Sequence, residues 1–126
     1  MNSVASRRAS LWLAIACVLT AAIVYFSLSR TIISIPGDAG GRFGHMAAYA
    51  GLMFMLARTC ETTRSRVIVA AALVAVGVVI EFLQARTGYR NYEHADMAAN
   101  AVGIALGWFT ERRFAAFEWP RGLLPR

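Results

Sequence analysis

The chain has 126 residues, enough for a single domain. Hydrophobic residues make up 58% and charged residues 16% of it, and the mean hydropathy is +0.51. A soluble protein of this size could not bury so much apolar surface, so the composition predicts a small polytopic membrane protein. The net charge of +6 is carried by arginines between apolar runs and in the tails. Because they do not form a polar face, this charge argues against a nucleic-acid partner.

Four apolar runs follow one another along the chain, at residues 9–29, 43–57, 67–85 and 95–109. A helix that crosses a bilayer needs about 20 residues. The first and third runs are long enough, whereas the second and fourth reach that length only by extending through Arg42 and Asp96. The sequence therefore predicts one all-α domain over residues 1–126, a bundle of four transmembrane helices.

The distribution of arginines predicts the orientation of this bundle. With both termini inside, nine arginines fall on the cytoplasmic side and four on the outer side, which is the bias expected of a membrane protein. The cytoplasmic set is Arg7, Arg8, Arg58, Arg64, Arg66, Arg112, Arg113, Arg121 and Arg126, and the outer set is Arg30, Arg42, Arg86 and Arg90. Residues 1–8 and 112–126 are then cytoplasmic tails. The inverted topology, or a cleaved signal peptide beginning at Ser6-Arg7-Arg8, is the alternative.

Polar residues inside these runs repeat at helical spacing. The sets are Arg42, His45 and Tyr49 in the second run, Glu81 and Gln84 in the third, and Asp96 and Asn100 in the fourth. Threading places His45, Glu81 and Asn100 about 5–8 Å below the outer boundary. Ionisable groups at that depth usually face the bundle interior and mark a functional site. The spacing predicts a polar pocket that opens outward.

Structural roles are the alternative for each of these residues. Glu81 could pair with Arg86 or Arg90, and Asp96 could cap the fourth helix. Gln84 and Asn100 could hydrogen-bond between helices. No Cys/His spacing resembles a metal site, no cofactor is expected, and a disulfide between Cys17 and Cys60 is not expected because they lie at different depths.

Small residues recur at Ala99, Gly103 and Gly107 on the fourth helix, and Gly77 lies one turn before Glu81. Such ridges allow helices to approach closely. They favour packing within the monomer, with a homo-oligomer through the same ridge as the less favoured reading.

The polar residues, taken in order, resemble the VanZ-like family of small integral membrane proteins. The matching residues run over 41–111 and are Arg42-Phe43-Gly44-His45, Tyr49, Gly77, Glu81, Gln84, Arg90, Asp96, Asn100, Gly103 and Gly107. The resemblance implies four membrane helices in a bacterial cytoplasmic membrane. The founding member is associated with low-level resistance to the glycopeptide teicoplanin. This chain departs from the family at Gly41, where an acidic residue is usual; Asp38 is the alternative acid.

A binding or accessory protein of the cell envelope is the first functional hypothesis. Its partners would be membrane lipids, with the outward pocket holding a lipid head group or a lipid-linked envelope precursor. Arg42 and Arg90 would then pair with a phosphate or carboxylate. Glu81 and Asp96 would hold those arginines in place. Tyr49, Gln84 and Asn100 would orient the ligand by hydrogen bonds.

A membrane enzyme acting on a lipid-linked substrate is the second hypothesis. Glu81 would be its general acid or base, with His45 as partner and Asp96 orienting one of them. The chain has no G-x-S-x-G motif to supply a nucleophile. A small transporter is less favoured, because the first run lacks an acidic residue.

Overall fold

The computed structural model describes residues 2–29, 41–89 and 93–116, and these residues form four helices. In chain order they are α1 (Asn2–Leu28), α2 (Arg42–Ala57), α3 (Thr63–Arg86) and α4 (His94–Ala116). The all-α fold class is confirmed. Two segments, Ala9–Leu28 and Thr63–Arg86, are long and apolar enough to cross a membrane.

Helix α4 extends further than its apolar run. It continues through Arg112 and Arg113 to Ala116, so the beginning of the tail expected from residue 112 is helical. The end of α4 that carries Arg112 and Arg113 is therefore a continuation of the same helix. Phe117 and Trp119, which could form a segment on the membrane surface, lie outside the described residues.

Local backbone chemistry fixes where α2 and α3 begin. Gly41 precedes α2 with φ of 75°, a left-handed conformation that glycine adopts without a steric penalty. Thr62 caps α3: its hydroxyl accepts a hydrogen bond from the Ser65 N–H at 3.1 Å. In return, the Ser65 hydroxyl accepts one from the Thr62 N–H at 3.3 Å. The link at 58–62 therefore turns the chain sharply from α2 into α3.

The most extensive helix contact lies between α2 and α4. A Cβ atom added to Gly103 would overlap the Met46 carbonyl oxygen, and one added to Gly107 would overlap the Ala50 carbonyl oxygen. The two backbones therefore touch, which only glycine allows at these positions. The ridge predicted on α4 packs within the chain, with Ala99 half-buried at its start.

The buried apolar cluster lies around α2. It consists of Ala16, Tyr49, Leu52, Met53, Ala57, Leu73 and Ile104, drawn from all four helices. Large apolar side chains also remain exposed on the outside, including Val18 on α1, Phe82 on α3 and Leu106 on α4. A lipid environment would cover them, which supports a membrane location. Cys17 and Cys60 are both free, as expected.

Substitution of Gly103 by alanine tests the contact between α2 and α4. We expect Gly103→Ala to lower the free energy of unfolding by about 1–3 kcal/mol, because the added methyl group forces the two backbones apart. Gly51→Ala is the matched control, since a Cβ there meets nothing within 4 Å. Reversible unfolding in mixed detergent micelles measures both. Equal effects of the two substitutions would contradict the close approach.

Candidate functional site

One end of the bundle collects the C-terminal ends of α1 and α3 and the N-terminal ends of α2 and α4. Gln84 on α3 donates a hydrogen bond from Nε2 to the carbonyl oxygen of Ser27 on α1, at 2.8 Å. The Tyr89 hydroxyl donates to the carbonyl oxygen of Leu28. These two bonds fix the end of α1 against the end of α3. Gln84 therefore contributes to docking α1, as the structural alternative expects of it.

Arg42 begins α2 and pairs with two carboxylates. Its Nη2 lies 3.0 Å from Glu93 Oε2, and its Nε lies 3.6 Å from Asp96 Oδ1. The Arg42 side chain is 43% exposed, whereas that of Asp96 is 8% exposed. Asp96 thus holds Arg42, as the first hypothesis expects. Asp96 lies in the first turn of α4, where a carboxylate is favourable, and its role as a cap stays a prediction.

Glu81 is completely buried, five residues before the end of α3. Its Oε2 accepts a hydrogen bond from the Glu93 backbone N–H at 3.2 Å. Its Oε1 has no hydrogen-bond partner among the described residues. Asp96, His45 and Glu93 are ionisable side chains that interact electrostatically with this carboxyl group. Glu81 is therefore the point where α2, α3 and the start of α4 interact electrostatically.

The structural alternative for Glu81 was an ion pair with Arg86 or Arg90. Within the described part of the chain Glu81 forms no ion pair, and Arg86 is exposed at the end of α3. The pair with Arg86 is therefore absent. Arg90 lies outside the described residues.

Tyr49 and Asn100 meet beside Gly77, one turn before Glu81. A Cβ atom added to Gly77 would lie 2.9 Å from Asn100 Nδ2 and 3.3 Å from Tyr49 Oη. Tyr49 is 1% exposed and Asn100 is 3% exposed. In the described ranges, neither the Tyr49 hydroxyl nor Asn100 Oδ1 has a hydrogen-bond partner. Glycine at position 77 thus allows polar groups from α2 and α4 to reach the face of α3 that carries Glu81.

These contacts define a polar cluster at one end of the bundle: Arg42, His45, Tyr49, Glu81, Glu93, Asp96 and Asn100. Sequence analysis named all of these residues except Glu93 as candidate site residues. Glu93 lies three residues before Asp96, so the two carboxylates can reach the same arginine. The spacing between Glu93 and Asp96 is the sequence feature that could have identified Glu93 as a member of the site. Whether the cluster binds a ligand stays a prediction.

A third ion pair, which sequence analysis did not anticipate, lies at the opposite end of the bundle. Arg66 Nη2, near the start of α3, is 3.4 Å from Glu111 Oε2, near the end of α4. Glu111 is buried. The described residues therefore include two buried glutamates, Glu81 at the polar cluster and Glu111 at the other end, and of these two only Glu111 forms an ion pair there.

A small cavity of about 20 Å³ lies between α3 and α4 beside the polar cluster. Its lining is Val74, Gly77, Val78, Met97, Asn100 and Ala101. Its volume suits about one water molecule, but its lining is mostly apolar. The described residues contain no group of three His, Cys, Asp or Glu side chains that could hold a metal ion.

Comparisons with protein-family models, with curated proteins and with solved structures find no match to this chain.

The hydrogen bond from Gln84 to α1 can be tested by removing its donor. We expect Gln84→Leu to lower the free energy of unfolding by about 1 kcal/mol, because the Ser27 carbonyl loses its interhelical donor. Ala85→Leu is the control, since residue 85 is exposed on the same helix turn. Unfolding in mixed micelles provides the measurement. A loss in Ala85→Leu as large as that in Gln84→Leu would argue against this role.

Proposed function

We propose that this chain is a VanZ-like protein with four membrane spans, and that its polar cluster binds the polar group of an envelope amphiphile. The observation that carries the proposal is a set of three buried oxygen atoms that have neither a hydrogen-bond nor an ion-pair partner among the described residues: Tyr49 Oη, Glu81 Oε1 and Asn100 Oδ1. They come from three different helices. Buried polar atoms in folded proteins nearly always have a hydrogen-bond partner, so such a group suggests a missing one.

The contacts between α1 and α3 support four spans. These are the two helices long and apolar enough to cross a membrane. Their C-terminal ends touch through Gln84 and Ser27 and through Tyr89 and Leu28, so two spanning helices would end on the same side. The chain between them would then have to cross back, and α2 is the described helix available for that. Helix α4 would cross beside α2, against which it packs backbone to backbone.

The arginine distribution supports an outward-facing polar cluster. With nine arginines on the side of the termini and four on the other, the cluster end of the bundle faces away from the cytoplasm. An envelope amphiphile in the outer leaflet could then reach it laterally or from the aqueous side.

The chemistry of the cluster favours a ligand that donates hydrogen bonds. The unmatched atoms are a carboxyl oxygen, an amide oxygen and a hydroxyl, which accept hydrogen bonds from hydroxyl, amine or amide groups. Leaving such an atom buried and unpaired costs about 1–3 kcal/mol. A ligand that supplies the donors recovers this free energy. Arg42, partly exposed and already held by Glu93 and Asp96, would guide the polar group at the entrance.

Arg42 therefore has a different role from the one first expected. Sequence analysis assigned it to a ligand phosphate or carboxylate, yet two protein carboxylates already contact its guanidinium. We propose that it positions Glu93 and Asp96 and contacts the ligand only secondarily. The link to glycopeptide resistance rests on the family resemblance alone.

Ligand retention tests the proposed site. Native mass spectrometry of gently purified protein should find a specific amphiphile on the wild type and a loss of at least about tenfold in Glu81→Gln, because the carboxyl group that faces the ligand's donors is removed. Glu61→Gln is the control: it makes the same change at an exposed glutamate in the link between α2 and α3, at the opposite end of the bundle. Equal retention in all three proteins would overturn the proposed function.

Single cysteines test whether α2 crosses the membrane. In a background with Cys17 and Cys60 replaced by serine, we expect Phe43→Cys and Arg86→Cys to react with an impermeant maleimide from outside. Glu61→Cys should react only after the membrane is opened. All three positions are exposed in the structure. Labelling of residues 43 and 61 from the same side would rule out a crossing by α2.

A further inference from the structure

The end of the bundle opposite the polar cluster, where α2 ends, α3 begins and α4 ends, has an excess of arginine, and we call it the arginine end. Its charged residues are Arg58, Glu61, Arg64, Arg66, Glu111, Arg112 and Arg113, which are five positive and two negative groups. Glu111 is buried and pairs with Arg66. The other four arginines are exposed, and none forms an ion pair among the described residues. Such a surface attracts an anionic partner.

Two contacts bring these arginines together from three helices. The ion pair of Arg66 with Glu111 joins the start of α3 to the end of α4, with Nη2 3.4 Å from Oε2. The rings of Phe54 and Phe114 meet edge to face with their centroids 5.8 Å apart, which joins the end of α2 to the end of α4. The positive charge of the arginine end is therefore a property of the folded bundle.

The position of Arg64 is unfavourable for helix stability. Arg64 is the second residue of α3, and the first turn of α3 contains no acidic residue. The N-terminal end of a helix carries a partial positive charge, so a cation there is repelled and an anion is stabilised. Arg113, by contrast, lies in the last turn of α4, where positive charge is favourable. An anionic partner therefore accounts for Arg64 better than helix stability does.

Arg113 is positioned by an aromatic ring and not by a carboxylate. The guanidinium carbon of Arg113 lies 5.1 Å from the centroid of the Phe109 ring, one turn back along α4. This is a cation–π contact, in which the arginine keeps its positive charge. Arg113 therefore adds to the attraction of an anion at this end of the bundle.

Exposed apolar side chains lie next to these arginines, toward the middle of the bundle. Val67 and Ile68 follow Arg66 on α3, and Phe109 precedes Arg112 on α4; all three apolar side chains are more than half exposed. A phospholipid matches this order, because its phosphate can meet the arginines while its acyl chains cover the apolar side chains. A free phosphate would use the charged part alone.

We propose that the arginine end binds the head group of an anionic phospholipid, with Arg64 in direct contact with the phosphate. The other exposed arginines draw anionic lipid to this end. Arginine suits such a ligand, because its N–H groups can donate to two phosphate oxygens at once. The inference rests on the four-span topology proposed above, which places the arginine end at the cytoplasmic leaflet. It does not depend on a ligand at the polar cluster.

Lipid retention by the full-length protein tests this proposal. The protein is immobilised from mixed micelles that contain equal amounts of phosphatidylglycerol and phosphatidylcholine with the same acyl chains, and the lipid retained after washing is quantified. We expect the wild type to retain at least about tenfold more phosphatidylglycerol than phosphatidylcholine. Arg64→Gln should lower this excess about fivefold, the factor that one arginine near an anionic head group contributes.

Arg86→Gln is the matched control, because it makes the same change at an exposed arginine on the same helix, at the other end of the bundle. It should keep the wild-type excess. No excess of phosphatidylglycerol on the wild type, or equal losses in Arg64→Gln and Arg86→Gln, would overturn the proposal.

A second wash separates a lipid from a free phosphate as the ligand. Excess inorganic phosphate, at an ionic strength matched with chloride, should leave the phosphatidylglycerol bound, because its acyl chains also contact the protein. Release by phosphate alone would overturn the assignment to a lipid. Failure of either test would leave the proposed function standing, since amphiphile retention at the polar cluster is measured through Glu81→Gln.

Discussion

The close approach of α2 and α4 is the constraint on which the rest of this structure depends. Because Gly103 and Gly107 lack side chains, the α4 backbone rests on the carbonyl groups of Met46 and Ala50. This contact fixes the register of the two helices, and the register brings Arg42 level with Asp96. Two turns further along α2 and one turn further along α4, it brings Tyr49 next to Asn100, on the face of Gly77. Two close contacts between helix backbones therefore determine where the polar side chains meet.

The two ends of the bundle use buried charge differently. At one end Glu111 faces Arg66, and the pair joins α3 to α4. At the other end the guanidinium of Arg42 pairs with Glu93 and Asp96. Glu81 accepts one hydrogen bond, from the Glu93 backbone N–H. Removing one partner from a buried ion pair is costly, so the first end is suited to stability. At the second end Tyr49 Oη, Glu81 Oε1 and Asn100 Oδ1 have neither a hydrogen-bond nor an ion-pair partner among the described residues, which suits recognition.

Much of this arrangement follows from the sequence, because helical spacing and run length are local properties. The spacing of three and four residues placed Arg42, His45 and Tyr49 on one face, and the ridge at Gly103 and Gly107 indicated close packing. The ion-pair partner of each charged side chain depends on distances between helices. Local sequence patterns do not determine these distances. The pairings of Arg42 with Glu93 and of Arg66 with Glu111 therefore required the structure. Arg90, expected at the site, lies outside the described residues.

The central claim is that the polar cluster is built for a ligand rather than for stability, and unfolding of the delipidated protein tests it most directly. Polar groups placed for ligand binding commonly lower the stability of the free protein. Glu81→Gln and Tyr49→Phe should therefore leave the free energy of unfolding unchanged or raise it slightly. Gln84→Leu, which breaks an existing interhelical bond, should lower it under the same conditions. A loss of more than about 1 kcal/mol in both Glu81→Gln and Tyr49→Phe would show that these groups hold the helices together, and would contradict the account.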